Sequence, residues 1–345
     1  MHNDLTNREK EVLLYIVENF IKSALPVGSR NISKGTDLNL SSATIRNVMS
    51  DLEDLELLKT PHTSAGRIPT DKAYRYYVDI LMSDQKLSEK DKKLLESQIF
   101  EQKNQLLEKE DIYVETSKIL GKISHQLAII TKPFLDNAVF EKLEIVSLSS
   151  SKILVVISIS SGYARTVLIE LETEVSAGKL ESLASFLNER LQGLTLKEIR
   201  DSFDERVDDF KYTEPELIKV FINSKDEIYG GNDSGTVYIG GTGEIINQPE
   251  FDDPKNFKNI INLAEDKQLV VQIFRNDSNR NDGIIISIGD ENPESKLKDY
   301  SIIRTSYKID QIEGNIGIIG PKRMNYGKMV SLVKYTSELI SRIKF

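Results

Sequence analysis

A polar run at residues 41 to 47 carries side chains that can form hydrogen bonds with the edges of nucleic-acid bases. Arginine can bind guanine and asparagine can bind adenine, each through two hydrogen bonds, and a good pair contributes about 1–3 kcal/mol of discrimination. Small serine and threonine side chains let a backbone come close to phosphate groups. The run therefore predicts base and phosphate contacts from Ser41, Ser42, Thr44, Arg46 and Asn47.

A second polar stretch, residues 57 to 78, is basic although the formal net charge of the chain is -9. It has basic side chains at 59, 67, 72 and 75 against a single acid, Asp71, and its hydroxyl groups can donate to phosphate oxygens. Composition alone leaves two interpretations open, a solvated hairpin or a nucleic-acid contact. The position after the first polar run favours the contact. The predicted contact residues are His62, Thr63, Ser64, Arg67, Lys72 and Arg75.

Both stretches lie in a region whose pattern predicts three helices, a hairpin and a fourth helix. Residues 6–23 have apolar side chains at helical spacing, and Thr6 with Glu9 has the pattern of a capping box. A short helix is expected near 29–36, and a third begins at the serine pair 41–42, where either serine is a natural N-cap. LLKTP and RIPT predict two short strands around HTSAG, before a helix in DKAYRYYVDILM. This order is that of a winged helix-turn-helix, which places one helix in the major groove.

Charge along the third predicted helix is graded from its start to its end. Residues 38–50 hold one arginine and no acid, whereas residues 51–56 hold four acids. Acids stabilise a helix near its N-terminus, so this gradient runs against helix stability. It suits a helix that approaches a polyanion with its first turns. The acidic excess of the chain lies in residues 173–265, a segment that a polyanion would repel.

The rest of the chain changes between strand and helix patterns. Residues 140–172 predict strands, residues 176–225 predict helices, GTVYIGGTGEII predicts a hairpin and NFKNIINLAE predicts a helix. QLVVQIF, GIIISIG, YSIIRTSYKI and GNIGIIG predict strands, and NYGKMVSLVKYTSELISRI predicts a closing helix. Strands on both sides of a helix-rich acidic block predict an α+β domain with a second domain inserted into it. The predicted divisions are 1–80, 81–172, 173–265 and 266–345.

Several chemical classes are disfavoured by composition and spacing. The absence of cysteine excludes disulfides and thiolate zinc sites. His2, His62 and His125 are too scattered to predict a metal site, and the glycine-rich stretches 230–235 and 240–243 lack the spacing of a phosphate loop. No apolar run approaches the ~18 residues of a membrane span. We therefore expect a cytoplasmic protein that is not an enzyme and has no cofactor, metal site, membrane contact or small-molecule ligand.

Four stretches of the sequence resemble the family of heat-inducible transcription repressors called HrcA. They are PVGSRNIS, SSATIRNVMSDLEDLELLKTPHTSAGRIPTDKAYRYYVD, GTVYIGGTGEIINQPEF and GIIGPKRMNYGKMVSLV. The resemblance implies a multidomain α+β fold, in which a winged-helix domain precedes a GAF-like α/β domain interrupted by an inserted, mainly helical dimerisation domain. It also implies a dimeric repressor that binds the CIRCE inverted repeat upstream of chaperone operons. The GroE chaperonin would promote the active form, and heat stress would remove the activity.

The same resemblance raises two structural questions. An inverted-repeat operator requires a two-fold dimer, and we expect apolar side chains of the acidic segment to pair the chains, with Leu180, Leu183, Leu187 and Phe221 as candidates. The sequence also departs from the family pattern, which has glycine and an aromatic residue in place of Glu56 and Leu57, and glycine in place of Ala73. Glu56 implies that the third helix runs on or ends without a glycine cap.

Two other functional hypotheses remain open at this point. One is an enzyme or nucleotide sensor built on the GAF-like domain, with the winged helix serving only to bind another protein. The other is a repressor whose signal is a metabolite. Binding to an inverted-repeat duplex, compared with scrambled half-sites, discriminates the first of these from a DNA-binding repressor.

Overall fold

The computed structural model describes residues 5–343, apart from 37, 39, 62–65, 84, 104–108, 161–162, 213, 231–235, 276–282 and 310–311. Within these residues the helices are α1 (Asn7–Ser23), α2 (Ser29–Gly35), α3 (Ser42–Asp54), α4 (Asp71–Tyr76), α5 (Glu89–Lys103), α6 (Lys109–Ser124), α7 (Ala177–Leu191), α8 (Leu196–Arg206), α9 (Pro215–Asn223), α10 (Lys225–Ile228), α11 (Thr242–Ile245), α12 (Pro254–Glu265), α13 (Lys267–Arg275) and α14 (Tyr326–Ser341). The strands are β1 (Leu58–Lys59), β2 (Ile68–Pro69), β3 (Leu127–Thr131), β4 (Phe140–Ser149), β5 (Lys152–Ile159), β6 (Ala164–Glu170), β7 (Val237–Gly240), β8 (Ile285–Ile288), β9 (Tyr300–Ile309) and β10 (Ile312–Pro321).

The first unit of the fold comprises α1 to α4 with the short β1–β2 pair. The capping box predicted at the start of α1 is present. The Thr6 hydroxyl accepts from the Glu9 backbone N–H, and the Glu9 carboxylate accepts from the Thr6 backbone N–H. Val12, Leu13 and Ile16 are buried on one face of α1 and form the core with α2 and α3. β1 and β2 pair in antiparallel fashion, and a π-helical turn extends α4 over Tyr77–Leu81. The predicted order of three helices, a strand pair and a fourth helix is confirmed.

The second unit is a five-stranded antiparallel sheet with strand order β7-β3-β10-β9-β8. α14 packs on β9 and β10, and α6 packs on β3 and β7. The winged-helix unit meets this second unit through tyrosine rings: Tyr74 and Tyr77 lie 5.9 Å and 6.5 Å from the ring of Tyr326, measured between centroids.

The third unit is a separate three-stranded antiparallel sheet, β4-β5-β6, whose strands pair only with one another among the described residues. It lies with α7 to α10 between β3 and β7 in the chain, so the five-stranded sheet is left after β3 and resumed at β7. The strands at 140–170 therefore do not join the strands at 285–321. The sequence-based division at 172/173 is wrong in this respect, because alternation identifies a strand but not its partner.

Two predicted elements differ in the structure. The hairpin expected in GTVYIGGTGEII is instead β7 followed by α11, with Gly241 between them at φ 83. A Cβ at this glycine would approach the Gln126 carbonyl oxygen to 2.0 Å, so the turn requires glycine. The strand expected in QLVVQIF is helix α13, whose buried residues Leu269, Val270, Ile273 and Phe274 follow a helical period. No described helix has the length and apolarity needed to cross a membrane.

The predicted dimerising side chains are buried inside a single chain. The exposed fraction is 3% for Leu180 and 0% for Leu183, Leu187 and Phe221, because α7 packs on β4 and α9 completes the same core. These side chains therefore stabilise the fold of the three-stranded unit and are not open to a second chain.

Candidate nucleic-acid interface

The start of α3 is fixed by hydroxyl groups. Ser41 is the N-cap, as the sequence allowed, and its Oγ accepts from the Thr44 backbone N–H at 3.1 Å. The hydroxyls of Ser41 and Thr44 lie 2.9 Å apart. The first turn of α3 therefore has a defined position before any ligand binds.

One face of α3 is buried and the other is open. Ile45, Val48 and Leu52 pack into the core and set the rotation of the helix about its axis. Arg46 and Asn47 point the other way, are exposed, and form no hydrogen bond or ion pair with any described residue. Their donors are therefore free to reach a base edge, which is the arrangement that direct readout requires.

The start of α2 lies beside the start of α3. The hydroxyls of Ser29 and Ser42 are 2.9 Å apart, and the Ser33 hydroxyl donates to the Leu40 carbonyl at 3.0 Å. Arg30 is exposed in the first turn of α2 and was not among the predicted contact residues. Its position in the sequence could have indicated a phosphate contact, because the first helix of a helix-turn-helix pair crosses the DNA backbone.

The base of the strand pair is attached to α3 through one carboxylate. Glu53 accepts from the Thr60 hydroxyl at 2.7 Å and from Arg67 Nε at 2.8 Å. The Thr60 hydrogen bond, with the charge of Arg67, lowers the pKa of Glu53. The Arg67 backbone also exchanges two 2.9 Å hydrogen bonds with Val27. Arg67 thus fixes the strands to α3, a structural role that was not predicted from the sequence.

The predicted contact residues His62, Thr63 and Ser64 lie outside the described residues. Gly66, directly before Arg67 in the chain, does not have a positive φ. It is needed instead because a Cβ there would meet the Pro26 backbone at 2.9 Å.

Lys72 lies at the opposite end of α3 from Ser41. Its ammonium donates to the Leu55 carbonyl at 2.8 Å and is 3.8 Å from the Glu56 carboxylate. A cation at this position interacts favourably with the negative end of the helix dipole. Lys72, predicted from the sequence to contact DNA together with the hairpin, is therefore bound to the end of α3 that lies away from the base-facing residues.

Arg75 contacts the second unit of the fold. Its guanidinium donates to both Glu291 oxygens, at 2.7 Å and 2.5 Å, to Asp79 at 3.0 Å and to the Ile286 carbonyl at 2.7 Å. These partners raise the pKa of Arg75, the Glu291 hydrogen bond most of all. The expectation that Arg75 faces phosphate does not fit this geometry, because its donors are already occupied between two units.

The end of α3 shows how the chain manages without a glycine cap. The helix stops at Asp54, and Glu56 adopts a left-handed φ of 61. The N–H of Leu57 bonds to the Leu52 carbonyl and that of Glu56 to the Glu53 carbonyl, both at 2.9 Å, which is the Schellman pattern. Leu57 and Ala73, the other departures, are buried.

Comparison with protein families gives two matches that together span most of the chain. Residues 4–81 match the model described as "Winged helix-turn-helix transcription repressor, HrcA DNA-binding", and residues 110–330 match "HrcA protein C terminal domain". The chain belongs to the HrcA family. The family that the sequence motifs resembled is thereby confirmed, and HrcA proteins are heat-inducible transcription repressors with a DNA-binding winged helix.

Individual relatives are similar over nearly their whole length. The chain is 40% identical to the heat-inducible transcription repressor HrcA of Chlorobium phaeobacteroides (strain BS1), with 99% of each protein covered. It is 41% identical to that of Chlorobaculum tepidum, covering 99% of this chain and 98% of the relative. The HrcA of Prosthecochloris aestuarii is 40% identical over 98% and 97%.

Among solved structures, the chain is similar in fold to a protein described only as hypothetical, whose crystal structure was determined at 2.2 Å resolution. The TM-score is 0.57 and 98% of each chain is covered, at 20% sequence identity. The mixed α and β architecture that follows the winged helix is therefore shared with an experimental structure.

Proposed function

We propose that this HrcA-family chain represses chaperone operons in the cytoplasm by binding the CIRCE inverted repeat as a homodimer. The GroE chaperonin would promote the binding-competent form, and heat stress would reduce it. The observation that carries the DNA-binding part is the open face of α3, where Arg46 and Asn47 are exposed and have no partner among the described residues. This proposal includes no catalytic activity, because the relatives are named as repressors.

The charge distribution around α3 supports docking through its first turns. The acids of the helix lie at its far end, where Glu53 is bound by Thr60 and Arg67, and Glu56 lies near Lys72. These acids are kept away from the phosphates if only the start of α3 enters the groove. Ser41, Ser42 and Thr44, with the exposed Arg30 of α2, would then contact the backbone.

For the dimer we propose the outer face of the three-stranded sheet. Val146, Leu154 and Leu168 stand in register across β4, β5 and β6. Val146 and Leu168 are 45% and 48% exposed, and Leu148 beside them is 57% exposed. An apolar patch of this kind on a sheet face marks an interaction surface. A second copy is the partner that an inverted repeat requires, since two-fold symmetry of the DNA is matched by a two-fold dimer.

Gel shifts on a CIRCE duplex test the proposal. We expect the wild-type chain to bind the intact repeat and to lose affinity when both half-sites are scrambled. Arg46→Ala should weaken operator binding, whereas Lys197→Ala, which removes an exposed lysine in the third unit, should not. Added chaperonin should increase the bound fraction, and heating should decrease it. Equal binding to intact and scrambled duplexes would contradict the proposal.

A further inference from the structure

A cavity of about 280 Å³ lies between the winged-helix unit and the five-stranded unit. The first unit contributes Phe20 and Tyr74 to its wall, and the second contributes Phe251 and Tyr300. Aromatic side chains therefore line both sides, as is common in sites that hold a planar apolar group.

Two ion pairs lie in the walls of this cavity. Lys322 Nζ lies 2.7 Å from the Asp71 carboxylate. Arg323 binds both oxygens of Glu250, at 2.5 Å and 3.0 Å, and also donates to the Ile21 carbonyl at 2.5 Å. These four charges are neutralised within the wall, so the cavity is preformed and its paired groups do not need a ligand.

One further cation lines the cavity without such a partner. Lys59 is exposed and forms no ion pair with any described residue. The exposed carboxylate of Asp299 also lines the cavity. Burial of the Tyr300 hydroxyl and, to a smaller extent, the negative charge of Asp299 raise the pKa of Tyr300 to about 12. The unpaired positive charge of the wall is therefore on the winged-helix side.

The same side provides a hydrogen-bond donor. Tyr74 is 3% exposed, and its hydroxyl has no hydrogen-bond partner among the described residues. Tyr74 is one of the residues that line the cavity. Burial raises the pKa of Tyr74, so the hydroxyl keeps its proton and can donate. A buried donor without a partner is unfavourable and gains from an acceptor.

We propose that this cavity binds a small aromatic carboxylate. Its ring would lie among Phe20, Phe251 and Tyr300, and its carboxylate would accept from Tyr74 and pair with Lys59. Such a ligand contacts both units, so its binding would favour the packed arrangement of the winged helix against the five-stranded sheet. This adds a ligand site to the proposed repressor, although the sequence predicted none.

Calorimetric titration of the full chain with naphthalene-2-carboxylate, in the absence of DNA, tests the proposal. We expect saturable binding at one site and weaker binding of the neutral naphthalene-2-carboxamide. Tyr74→Phe should weaken binding of the carboxylate about fivefold, the value of one hydrogen bond, and Lys59→Gln should weaken it by a similar factor. Lys197→Gln, a distant exposed lysine, should leave binding unchanged.

Tyr229 offers a matched control for the tyrosine variant. Its hydroxyl is also buried without a partner among the described residues, but it packs against Phe203 in the third unit. Both Tyr74→Phe and Tyr229→Phe should raise the unfolding temperature of the protein without probe, and only Tyr74→Phe should weaken probe binding. No saturable binding at millimolar probe, or equal binding by both variants, would overturn the site. Operator binding is measured separately, so its failure would be distinguishable.

Discussion

Replacing Glu56 with glycine should stabilise the winged-helix unit. Glu56 has a left-handed φ of 61, a conformation that costs a residue with a Cβ about 1–2 kcal/mol. Glycine removes this cost but increases the conformational entropy of the unfolded chain, so the free energy of unfolding should rise by about 0.5–1 kcal/mol. The lost contact with Lys72 is small, because the carboxylate is 85% exposed and the separation is 3.8 Å, and such pairs contribute about 0–1 kcal/mol.

Glu56→Ala separates the two effects, because alanine keeps the backbone strain and removes the same carboxylate. Thermal unfolding and hydrogen exchange of the amides of α3 in the full chain would measure both variants. We expect Glu56→Gly to raise the unfolding temperature and to slow exchange at the end of α3, with Glu56→Ala at or below the wild type. If the glycine variant is no more stable than the alanine variant, the strain argument is refuted.

Three further predictions concern the attachment of the wing, the dimer and the contact between units. Glu53→Gln should lower stability at pH 7 by about 1 kcal/mol. Because folding lowers the pKa of Glu53, this stability difference should be present above the unfolded pKa near 4.5 and should disappear as the pH falls through the folded pKa. Thermal unfolding measured at a series of pH values would show it. Val146→Glu should convert dimers to monomers in sedimentation experiments without unfolding them, whereas Leu183→Ala should cost about 2–5 kcal/mol of stability through the cavity it leaves. Arg75→Ala should lower stability by about 1 kcal/mol, because Glu291 loses its partner, and a change confined to operator affinity would contradict the structural role.

The winged-helix unit could be predicted from the sequence because its signals are local. The capping box at Thr6, the serine N-cap of α3 and the 3.6-residue period of Ile45, Val48 and Leu52 each depend on residues a few positions apart. The open face of α3 follows from that period, since fixing the buried stripe also fixes what lies opposite.

The partners of Arg75 could not be predicted in this way. A count of local charge grouped it with the DNA contacts, but Glu291 is 216 residues away in the chain. The dimer prediction was wrong about its residues for a related reason. Apolar residues at helical spacing, such as Leu183 and Leu187, indicate burial without showing whether the covering surface belongs to the same chain. The short apolar run of α13 was likewise consistent with the residue spacing of either a helix or a strand.

One thermodynamic cycle tests whether Arg46 reads a base of the operator. Wild type and Arg46→Ala are titrated against the operator and against an operator carrying 7-deazaguanine, which lacks the N7 acceptor, at each half-site guanine in turn. We predict one symmetric pair of guanines at which the two changes are non-additive by about 1 kcal/mol or more, because each removes the same hydrogen bond. Additive losses at every guanine would contradict base readout by the start of α3.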